Sequence, residues 1–265
     1  MGGFLFHQIV FGPLQSRRMG SSLGVNLLPL NRKRCSFNCI YCECGWTNGG
    51  GDASSFSDDS FPTPEEVEAA LDEKLTKMQQ GNKRMPDSIT FAGNGEPTLH
   101  PQFAEVINRT VKVRNRLAPD ANIVVLSNGS TLNNPDVFNA LEKVNQNIQK
   151  LDGGLPETIQ WINQPLNPSF DLIQQVEYLS RFNGKVIIQT LFLKGVVDGI
   201  TIDNTTDQEV EAWIEHLKRI KPQFVMIYPV DRGTAADHIM KVPEEVLRQI
   251  ADRAEKAGIS TRVYY

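Results

Sequence analysis

Residues 35–42 read Cys35-Ser-Phe-Asn-Cys39-Ile-Tyr-Cys42 and place three thiols within eight positions. Thiolates are soft donors that favour iron–sulfur clusters, zinc and copper(I), so this C-x3-C-x2-C spacing predicts a metal centre. Three local thiolates can hold three corners of a cubic iron–sulfur cluster, and the run then leaves the fourth iron without a protein ligand. Because a small molecule can bind at that open corner, we expect the centre to be catalytic.

A zinc site is the alternative for these thiols. It would need a second ligand pair elsewhere at C-x2-C or H-x3-H spacing, and the sequence has none. Only Glu43 separates Cys44, the fourth cysteine, from Cys42. This spacing is unfavourable for two thiolates that bind the same metal ion. We therefore expect Cys44 to be a buried or incidental thiol. Four cysteines within ten residues lie too close for a disulfide framework and are typical of metal binding in a reducing cytosol.

Length and charge narrow the class of protein. The chain has 265 residues and a formal net charge of −4, so it is long enough to bury a large core, and we expect one domain over residues 1–265. An acidic balance argues against a dedicated nucleic-acid binder, which usually has a basic domain. No apolar run approaches the ~18 residues that span a bilayer, and no secretory signal is visible. We expect a cytoplasmic protein.

Strands rich in β-branched residues alternate with amphipathic helices. Strands are predicted at 22–28, 87–92, 122–127, 148–152, 185–192 and 223–229. Thr63-Pro-Glu-Glu66 predicts a capping box at a helix start. Six strand–helix repeats predict a parallel sheet with right-handed crossovers. Six units are too few for an eight-fold barrel, so we expect an α/β fold with a partial (β/α)6-type TIM barrel. A doubly wound sheet is the competing architecture.

The cysteine run follows the first predicted strand, in residues 30–46, which we call the cluster loop. Parallel α/β folds bind their ligands at the carboxyl ends of strands. The next stretch, 47–60, is rich in Gly, Ser and Asp and has Phe56 as its apolar anchor, so it predicts a mobile loop. That loop is either a lid over the site or a connector.

The run Cys35-x3-Cys39-x2-Cys42, with Tyr41 before the last cysteine, resembles that of the radical S-adenosylmethionine (radical SAM) enzymes. The resemblance implies a partial or full barrel of βα units and a [4Fe–4S] cluster on the three cysteines. It also implies that the amino and carboxylate groups of S-adenosylmethionine bind the open iron. One electron from the reduced cluster would cleave the sulfonium, and the 5′-deoxyadenosyl radical would abstract hydrogen from a substrate.

Residues 91–98, Phe91-Ala-Gly93-Asn94-Gly95-Glu96-Pro-Thr, look like the Gly-Gly-Glu motif of that family. The resemblance implies that the glycines allow a close backbone approach and that the acid meets the methionine ammonium. The sequence departs from the family pattern because Asn94 separates the glycines and Glu96 directly follows the second one. A βα turn with a helix-capping acid is the alternative.

Polar residues at other strand ends are further candidates for binding S-adenosylmethionine. The resemblance implies ribose contacts at Ser127 and Asn128, similar contacts at Gln189, and an adenine contact near Tyr228. With Tyr41, they complete the predicted cofactor-binding set. Polar residues in such places also often cap the next helix.

Charged residues near the predicted site are candidates for binding substrate. Asp152, Asp231 and Arg232 follow predicted strands. A basic collar lies near the cysteines: Arg17, Arg18, Arg32, Lys33 and Arg34. Because arginine forks suit carboxylates and phosphates, this collar would bind the carboxylate of S-adenosylmethionine or an anionic substrate. Solvated surface charge is the alternative for each residue singly.

Four stretches, 11–25, 150–152, 189–192 and 231–232, resemble a radical SAM subgroup related to wyosine-type tRNA-modifying oxidoreductases. We expect an oxidoreductase that acts on an unidentified small molecule or peptide and is reduced by a donor such as flavodoxin or ferredoxin. The alternatives are a tRNA-modifying enzyme, an activase of a glycyl-radical enzyme, and an electron carrier. A carrier normally uses four cysteine ligands.

Overall fold

The computed structural model describes residues 3–47, 61–231 and 233–265. Almost all of the predicted mobile loop at 47–60 lies outside these ranges, and so does Arg232. The strands of the described ranges are β1 Val10–Ser16, β2 Gly20–Val25, β3 Ser88–Phe91, β4 Asn122–Ser127, β5 Gln146–Lys150, β6 Ile187–Val197, β7 Ile200–Asp203, β8 Val225–Pro229, β9 Ile239–Lys241 and β10 Thr261–Val263. The helices are α1 Pro64–Gln80, α2 Phe103–Leu117, α3 Pro135–Leu141, α4 Pro156–Ile162, α5 Leu172–Ser180, α6 Asp207–Ile220 and α7 Glu244–Lys256.

The main sheet follows the order of the chain. Its strands neighbour one another as β1-β2-β3-β4-β5-β6-β8-β10, and every pair from β2 onward is parallel. The six predicted strands are β2 to β6 and β8, and the sheet is open with β1 and β10 at its edges. A doubly wound sheet would reverse its strand order at a switch point, and this order does not reverse. The prediction of a partial (β/α)6-type barrel is confirmed.

Three features of the sheet were not predicted. β1 forms an antiparallel hairpin with β2 ahead of the first βα unit. β6 continues to Val197, beyond its predicted end at Phe192, and its second half pairs antiparallel with both β7 and β9. The sequence does not predict the full length of β6, because its residues are buried almost throughout. No alternation of apolar and polar residues therefore marks the point at which β6 extends beyond the barrel.

Alternate residues of each strand pack in two different layers, as the pleat requires. Ile123 and Val125 of β4 face the helices and join the main core, which includes Trp213 of α6. Val124, between them, packs inside the barrel in a smaller cluster with Ile148, Ile187 and Met226. The barrel interior therefore has an apolar floor beneath the carboxyl ends of the strands.

The predicted capping box at the start of α1 is confirmed. Thr63 Oγ1 accepts a hydrogen bond from the Glu66 backbone N–H at 3.2 Å, and Glu66 Oε2 accepts one from the Thr63 N–H at 2.7 Å. Two backbone donors that have no partner within the helix are thereby satisfied. Within the described ranges, no helix combines the length and the apolar character needed to cross a bilayer.

One side of the cluster loop is bound to the end of β3. The Arg34 backbone N–H donates to Asn94 O at 2.8 Å, and the Glu96 N–H donates to Arg34 O at 3.0 Å. Gly95 lies between these bonds at φ +136°, and a Cβ built there would lie 1.9 Å from Arg34 O. The second glycine of the motif therefore lets β3 approach the cluster loop itself.

The other side of the cluster loop is bound to the end of α4. The Asn38 N–H donates to Asn163 O at 3.0 Å, and the Ile40 N–H donates to Ile162 O at 3.0 Å. Ile40 is fully buried and packs in a small apolar cluster with Ile162 and Leu191. Contacts on two sides thus hold the cysteine run over the open end of the barrel.

Gly95→Ala should lower the free energy of unfolding by about 3 kcal/mol, because the new Cβ meets a backbone carbonyl at a φ that favours glycine. Gly233→Ala is the matched control, since a Cβ there has no heavy atom within 4 Å, and its effect should stay within about 0.5 kcal/mol. Urea unfolding followed by circular dichroism measures both. Equal stability of the two variants would contradict this account of the loop.

Candidate functional site

A cavity of about 550 Å³ opens inside the barrel at the carboxyl ends of the strands. Its volume lies in the usual range of small-molecule and cofactor sites. The structure brings nearly all of the predicted site residues to its wall: Cys35, Cys39, Tyr41, Cys42, Gly93, Gly95, Glu96, Ser127, Asn128, Gln189 and Tyr228. Residues on or just after four strands, β3, β4, β6 and β8, therefore meet the cluster loop around one space.

Asn94 is the exception among the predicted cofactor-binding residues. Its side chain is fully buried and does not line the cavity. Its Nδ2 donates to the carbonyl oxygens of Phe6 and Pro29, both at 2.9 Å, and its Oδ1 accepts from the Phe6 N–H at 2.8 Å. This side chain links the segment before β1 to Pro29, which follows β2, and cofactor binding by Asn94 stays a prediction.

Two buried asparagines donate hydrogen bonds to cysteine sulfurs. Asn128 Nδ2, after β4, lies 3.7 Å from Cys35 Sγ, and Asn163 Nδ2, after α4, lies 3.4 Å from Cys39 Sγ. Donors of this kind stabilise the negative charge of a thiolate and tune a metal bound to it. Asn163 is 1 % exposed, so water does not compete with its N–H for the sulfur of Cys39.

Lys33 supplies a positive charge beside the same thiols. It is 7 % exposed, and its Nζ donates to Gly45 O at 2.8 Å. Burial lowers the pKa of the Lys33 ammonium, but the neighbouring thiolates, chiefly that of Cys42, outweigh burial and raise it overall. Lys33 is therefore charged and partly neutralises the thiolates.

Cys44 lies against Cys42 and also lines the cavity. The neighbouring Cys44 thiol is the main cause that lowers the pKa of Cys42 well below its usual range; burial opposes it and Lys33 assists. Proximity to Cys42 and burial raise the pKa of Cys44 far above its ordinary value. Cys44 Sγ itself donates to Gly93 O at 3.5 Å. This thiol, which the sequence predicts to be buried or incidental, therefore links the cluster loop to the end of β3 beside Cys42.

The other two thiols of the run have a different electrostatic environment. Burial raises the pKa of Cys35 to about 12 and also raises that of Cys39. Without a metal both are protonated at neutral pH, so binding of a metal must displace their protons. In the described ranges, no cluster of His, Cys, Asp or Glu has the arrangement that holds a single ion.

The three sulfurs, the two asparagine donors and Lys33 together fit an iron–sulfur cluster. The ligand atoms are soft sulfurs on one cavity wall, and the N–H groups beside them suit thiolates that keep negative charge when they bind iron. Such a cluster binds each thiolate through a different iron, so its ligands need not surround one point.

Glu96 caps a short turn and also faces the cavity. The carboxylate is 3 % exposed and lines the cavity. Its Oε1 accepts from the Thr98 N–H at 3.1 Å and from Thr98 Oγ1 at 2.6 Å, which caps the short 3-10 turn Pro97–Leu99. Its Oε2 accepts from the Asn128 N–H at 2.6 Å. Burial raises the pKa of Glu96, and these hydrogen bonds oppose that rise.

Asp152 does not face the cavity, contrary to the expectation that it meets a substrate. It is fully buried, and its Oδ2 accepts hydrogen bonds from the Tyr41 hydroxyl and from Asn163 Nδ2, the latter at 2.8 Å. Lys150 Nζ lies 3.5 Å from the same oxygen. Burial lowers the pKa of Lys150, but the Asp152 charge leads a set of neighbours that raise it overall. Asp152 therefore holds cavity residues in place from behind.

Two important residues were missed by sequence reasoning. Asn163 ends a helix and belongs to no motif, so no sequence signal marks it. Lys150 belongs to the stretch 150–152, where the sequence assigns it no role; it lines the cavity, and its Nζ lies 5.0 Å from the centre of the Tyr41 ring. Its position at the end of β5 was the available signal.

The residues of the basic collar lie in two different places relative to the cavity. Arg17 and Arg18, in the turn between β1 and β2, line the cavity. Arg17 forms an ion pair with Asp231 at 2.5 Å. Asp231 also lines the cavity and forms a second ion pair, with Lys241, at 3.2 Å. Arg32 and Arg34 are not among the described residues of the cavity wall.

A profile of the radical SAM superfamily matches residues 33–217. The chain belongs to the radical SAM superfamily. Its members are enzymes, and the family implies S-adenosylmethionine and an iron–sulfur cluster. The matched residues include positions 33–46 of the cluster loop and the strands from β3 to β6.

Two curated relatives match most of the chain. A UPF0026 protein of Synechocystis is 31 % identical over 94 % of this chain and 82 % of its own length. A protein of Brachyspira hyodysenteriae named GTPase Obg is 28 % identical over 91 % of this chain and 32 % of its own length. The chain thus spans about a third of that second relative.

Solved radical SAM structures share the fold. A radical SAM methyltransferase from Sphaerobacter thermophilus matches with a TM-score of 0.65 at 17 % identity, covering 92 % of this chain and 66 % of the other. TYW1 matches with a TM-score of 0.62 at 14 % identity, covering 90 % of this chain and 75 % of the other. At such low identity these matches speak for the fold alone.

In the iron-free, reduced protein, iodoacetamide at neutral pH should alkylate Cys42 before Cys35 and Cys39, because the thiolate is the nucleophile. Cys44→Ala removes the neighbouring thiol that lowers the pKa of Cys42, so it should slow the alkylation of Cys42 at neutral pH but not at alkaline pH. Peptide mass mapping over time measures the rates.

Cys44→Ser is the control for this experiment, since it keeps a polar hydrogen beside Cys42 and should alkylate faster at Cys42 than Cys44→Ala. Equal rates at neutral pH for the wild type and Cys44→Ala would refute the effect of Cys44 on the pKa of Cys42.

Proposed function

We propose that this chain is a radical SAM oxidoreductase that holds a [4Fe–4S] cluster on Cys35, Cys39 and Cys42 and abstracts hydrogen from a small molecule or peptide. The observation that carries the proposal is the convergence of three thiols on one cavity wall, with N–H donors at their sulfurs, in a radical SAM chain. When bound, the cluster and S-adenosylmethionine supply the electron and the 5′-deoxyadenosyl radical.

The chain itself orients these groups and shields them. Glu96, Ser127 and Asn128 form the polar side of the proposed S-adenosylmethionine site, and the carboxylate of Glu96 suits the methionine ammonium. Tyr41 is held in place by its hydrogen bond to Asp152. A site inside the barrel excludes water, which protects a reactive radical from side reactions.

The partners are part of the same proposal. The reductant is a small donor such as flavodoxin or ferredoxin, and the compartment is the cytoplasm, where thiols stay reduced. A tRNA substrate is the alternative suggested by the wyosine-type subgroup, but the net charge of −4 disfavours it. Binding to tRNA that falls steeply with salt would support that alternative.

Anaerobic reconstitution with iron and sulfide, followed by dithionite and S-adenosylmethionine, should yield 5′-deoxyadenosine from the wild type. Cys39→Ala should yield none, because it removes a cluster ligand, whereas Cys44→Ala should retain its iron. Chromatography of the nucleosides and iron analysis measure the outcome. An intact wild-type cluster that yields no 5′-deoxyadenosine would overturn the proposal in favour of an electron carrier.

Asn163→Leu should lower the midpoint potential of the cluster by roughly 60 mV. The reduced cluster carries more negative charge, so the lost N–H donor had favoured reduction, and a hydrogen bond worth about 1.4 kcal/mol corresponds to about 59 mV for one electron. Redox titration followed by electron paramagnetic resonance measures the potential.

Asn204→Leu provides the control for Asn163→Leu. Asn204 is a buried asparagine that binds the carbonyl oxygens of Asp152 and Leu191, and its hydrogen bonds reach no sulfur. Its replacement should destabilise the fold and leave the potential unchanged. The same shift in both variants would mean that general loosening, and not the sulfur contact, sets the potential.

A further inference from the structure

The turn between β1 and β2 reaches across the open side of the barrel. β1 and β2 lie at one edge of the sheet, and β8 lies next to the strand at the other edge. Even so, Arg18 Nη1 donates to Gln189 Oε1 on β6 at 3.0 Å, and its guanidinium lies 4.7 Å from the centre of the Tyr228 ring on β8. The guanidinium therefore lies inside the cavity, between the two ends of the sheet.

The other charged side chains described above have partners within the chain. Arg17 is paired with Asp231, and Lys150 lies against Asp152. The Glu96 carboxylate accepts hydrogen bonds on both of its oxygens. Among the described residues, Arg18 is paired with no carboxylate. Its positive charge is thus left without an anion in a partly desolvated place, where a charge attracts a counter-ion strongly.

We propose that Arg18, with Gln189 and Tyr228, forms a subsite for an oxyanion group of the substrate, either a carboxylate or a phosphate. The inference rests on the proposed function and adds the chemical class of the substrate. A guanidinium has five N–H donors in a planar fork that matches both oxyanions. One of these donors is bonded to Gln189, and the contact with the Tyr228 ring holds the guanidinium in place.

Neighbouring groups make the subsite more specific. The Tyr228 hydroxyl lies 3.5 Å from Gln189 Oε1 and also lies close to the ammonium of Lys150. Two cations, Arg18 and Lys150, therefore flank the Tyr228 side chain. The subsite is built from β6, β8 and the β1–β2 turn, whereas the cysteines lie in the loop after β2. An anion held there would anchor one end of a small substrate in the same cavity that the thiols line.

A purely structural role for Arg18 makes a different prediction. As a link between the two ends of the sheet it would stabilise the barrel, and oxyanions would not bind to it. Arg17 is the matched neighbour, because it also spans the two ends but has its own carboxylate in Asp231. Comparing substitutions of Arg17 and Arg18 therefore distinguishes a loss of anion binding from a loss of barrel stability.

The test is isothermal titration calorimetry of the reconstituted enzyme, without dithionite, using inorganic phosphate and malonate as probes at a constant ionic strength set with chloride. We expect the wild type and Arg17→Gln to bind one of the two probes, and Arg18→Gln to bind it at least tenfold more weakly. Arg18→Lys should lie between them, because it keeps the charge without the fork, and it serves as the test if Arg18→Gln does not fold. The preferred probe identifies the oxyanion.

Binding of neither probe to the wild type, or equal binding by the wild type and Arg18→Gln, would overturn the proposal. The titration does not depend on turnover, so its failure is distinct from a failure to form 5′-deoxyadenosine. Arg18-dependent binding without 5′-deoxyadenosine would refute the proposed reaction and leave the oxyanion subsite in place. Formation of 5′-deoxyadenosine without such binding would refute the subsite alone.

Discussion

The arrangement of the site depends on one contact, the backbone pairing of the cluster loop with the end of β3. Arg34 and the residues around Gly95 exchange two hydrogen bonds at a distance that leaves no room for a side chain on Gly95. That contact brings the cysteine run to the carboxyl edge of the sheet, and Asn38 and Ile40 bind the end of α4 on the other side. A loop held by backbone hydrogen bonds at both sides gives its thiols fixed positions, as a cluster site requires.

Burial governs the chemistry of the thiols once the loop is in place. Desolvation alone favours protonated thiols, as the raised pKa values of Cys35 and Cys39 indicate. The chain counters this cost locally, with Asn128, Asn163 and Lys33 beside the sulfurs. Asn163 also binds Asp152, which in turn holds Tyr41. The cluster wall and the cavity wall therefore share one hydrogen-bonded network, and a change at one is felt at the other.

Because the barrel is open, its two edge strands are not joined by backbone hydrogen bonds in the described part of the chain, and other contacts must connect the two edges of the sheet. A closed barrel joins its first and last strands by backbone hydrogen bonds. Here Arg17 and Arg18 of the first hairpin make side-chain contacts with Asp231 and Tyr228 near the far edge. All four of these residues also line the cavity.

The sequence by itself determined the six parallel strands, the start of α1 and the family, because these depend on local periodicity, capping residues and the spacing of Cys35, Cys39 and Cys42. Most of the metal-binding and cofactor-binding residues that it predicted line the cavity, since parallel strands bring their carboxyl ends together. Tertiary structure alone decided the direction of each polar side chain: Asn94 binds the segment before β1, Asp152 lies behind Tyr41, and Asn163 reaches Cys39 from a helix end that carries no motif. Such contacts join residues far apart in the chain, and their geometry is set by packing that no local pattern encodes.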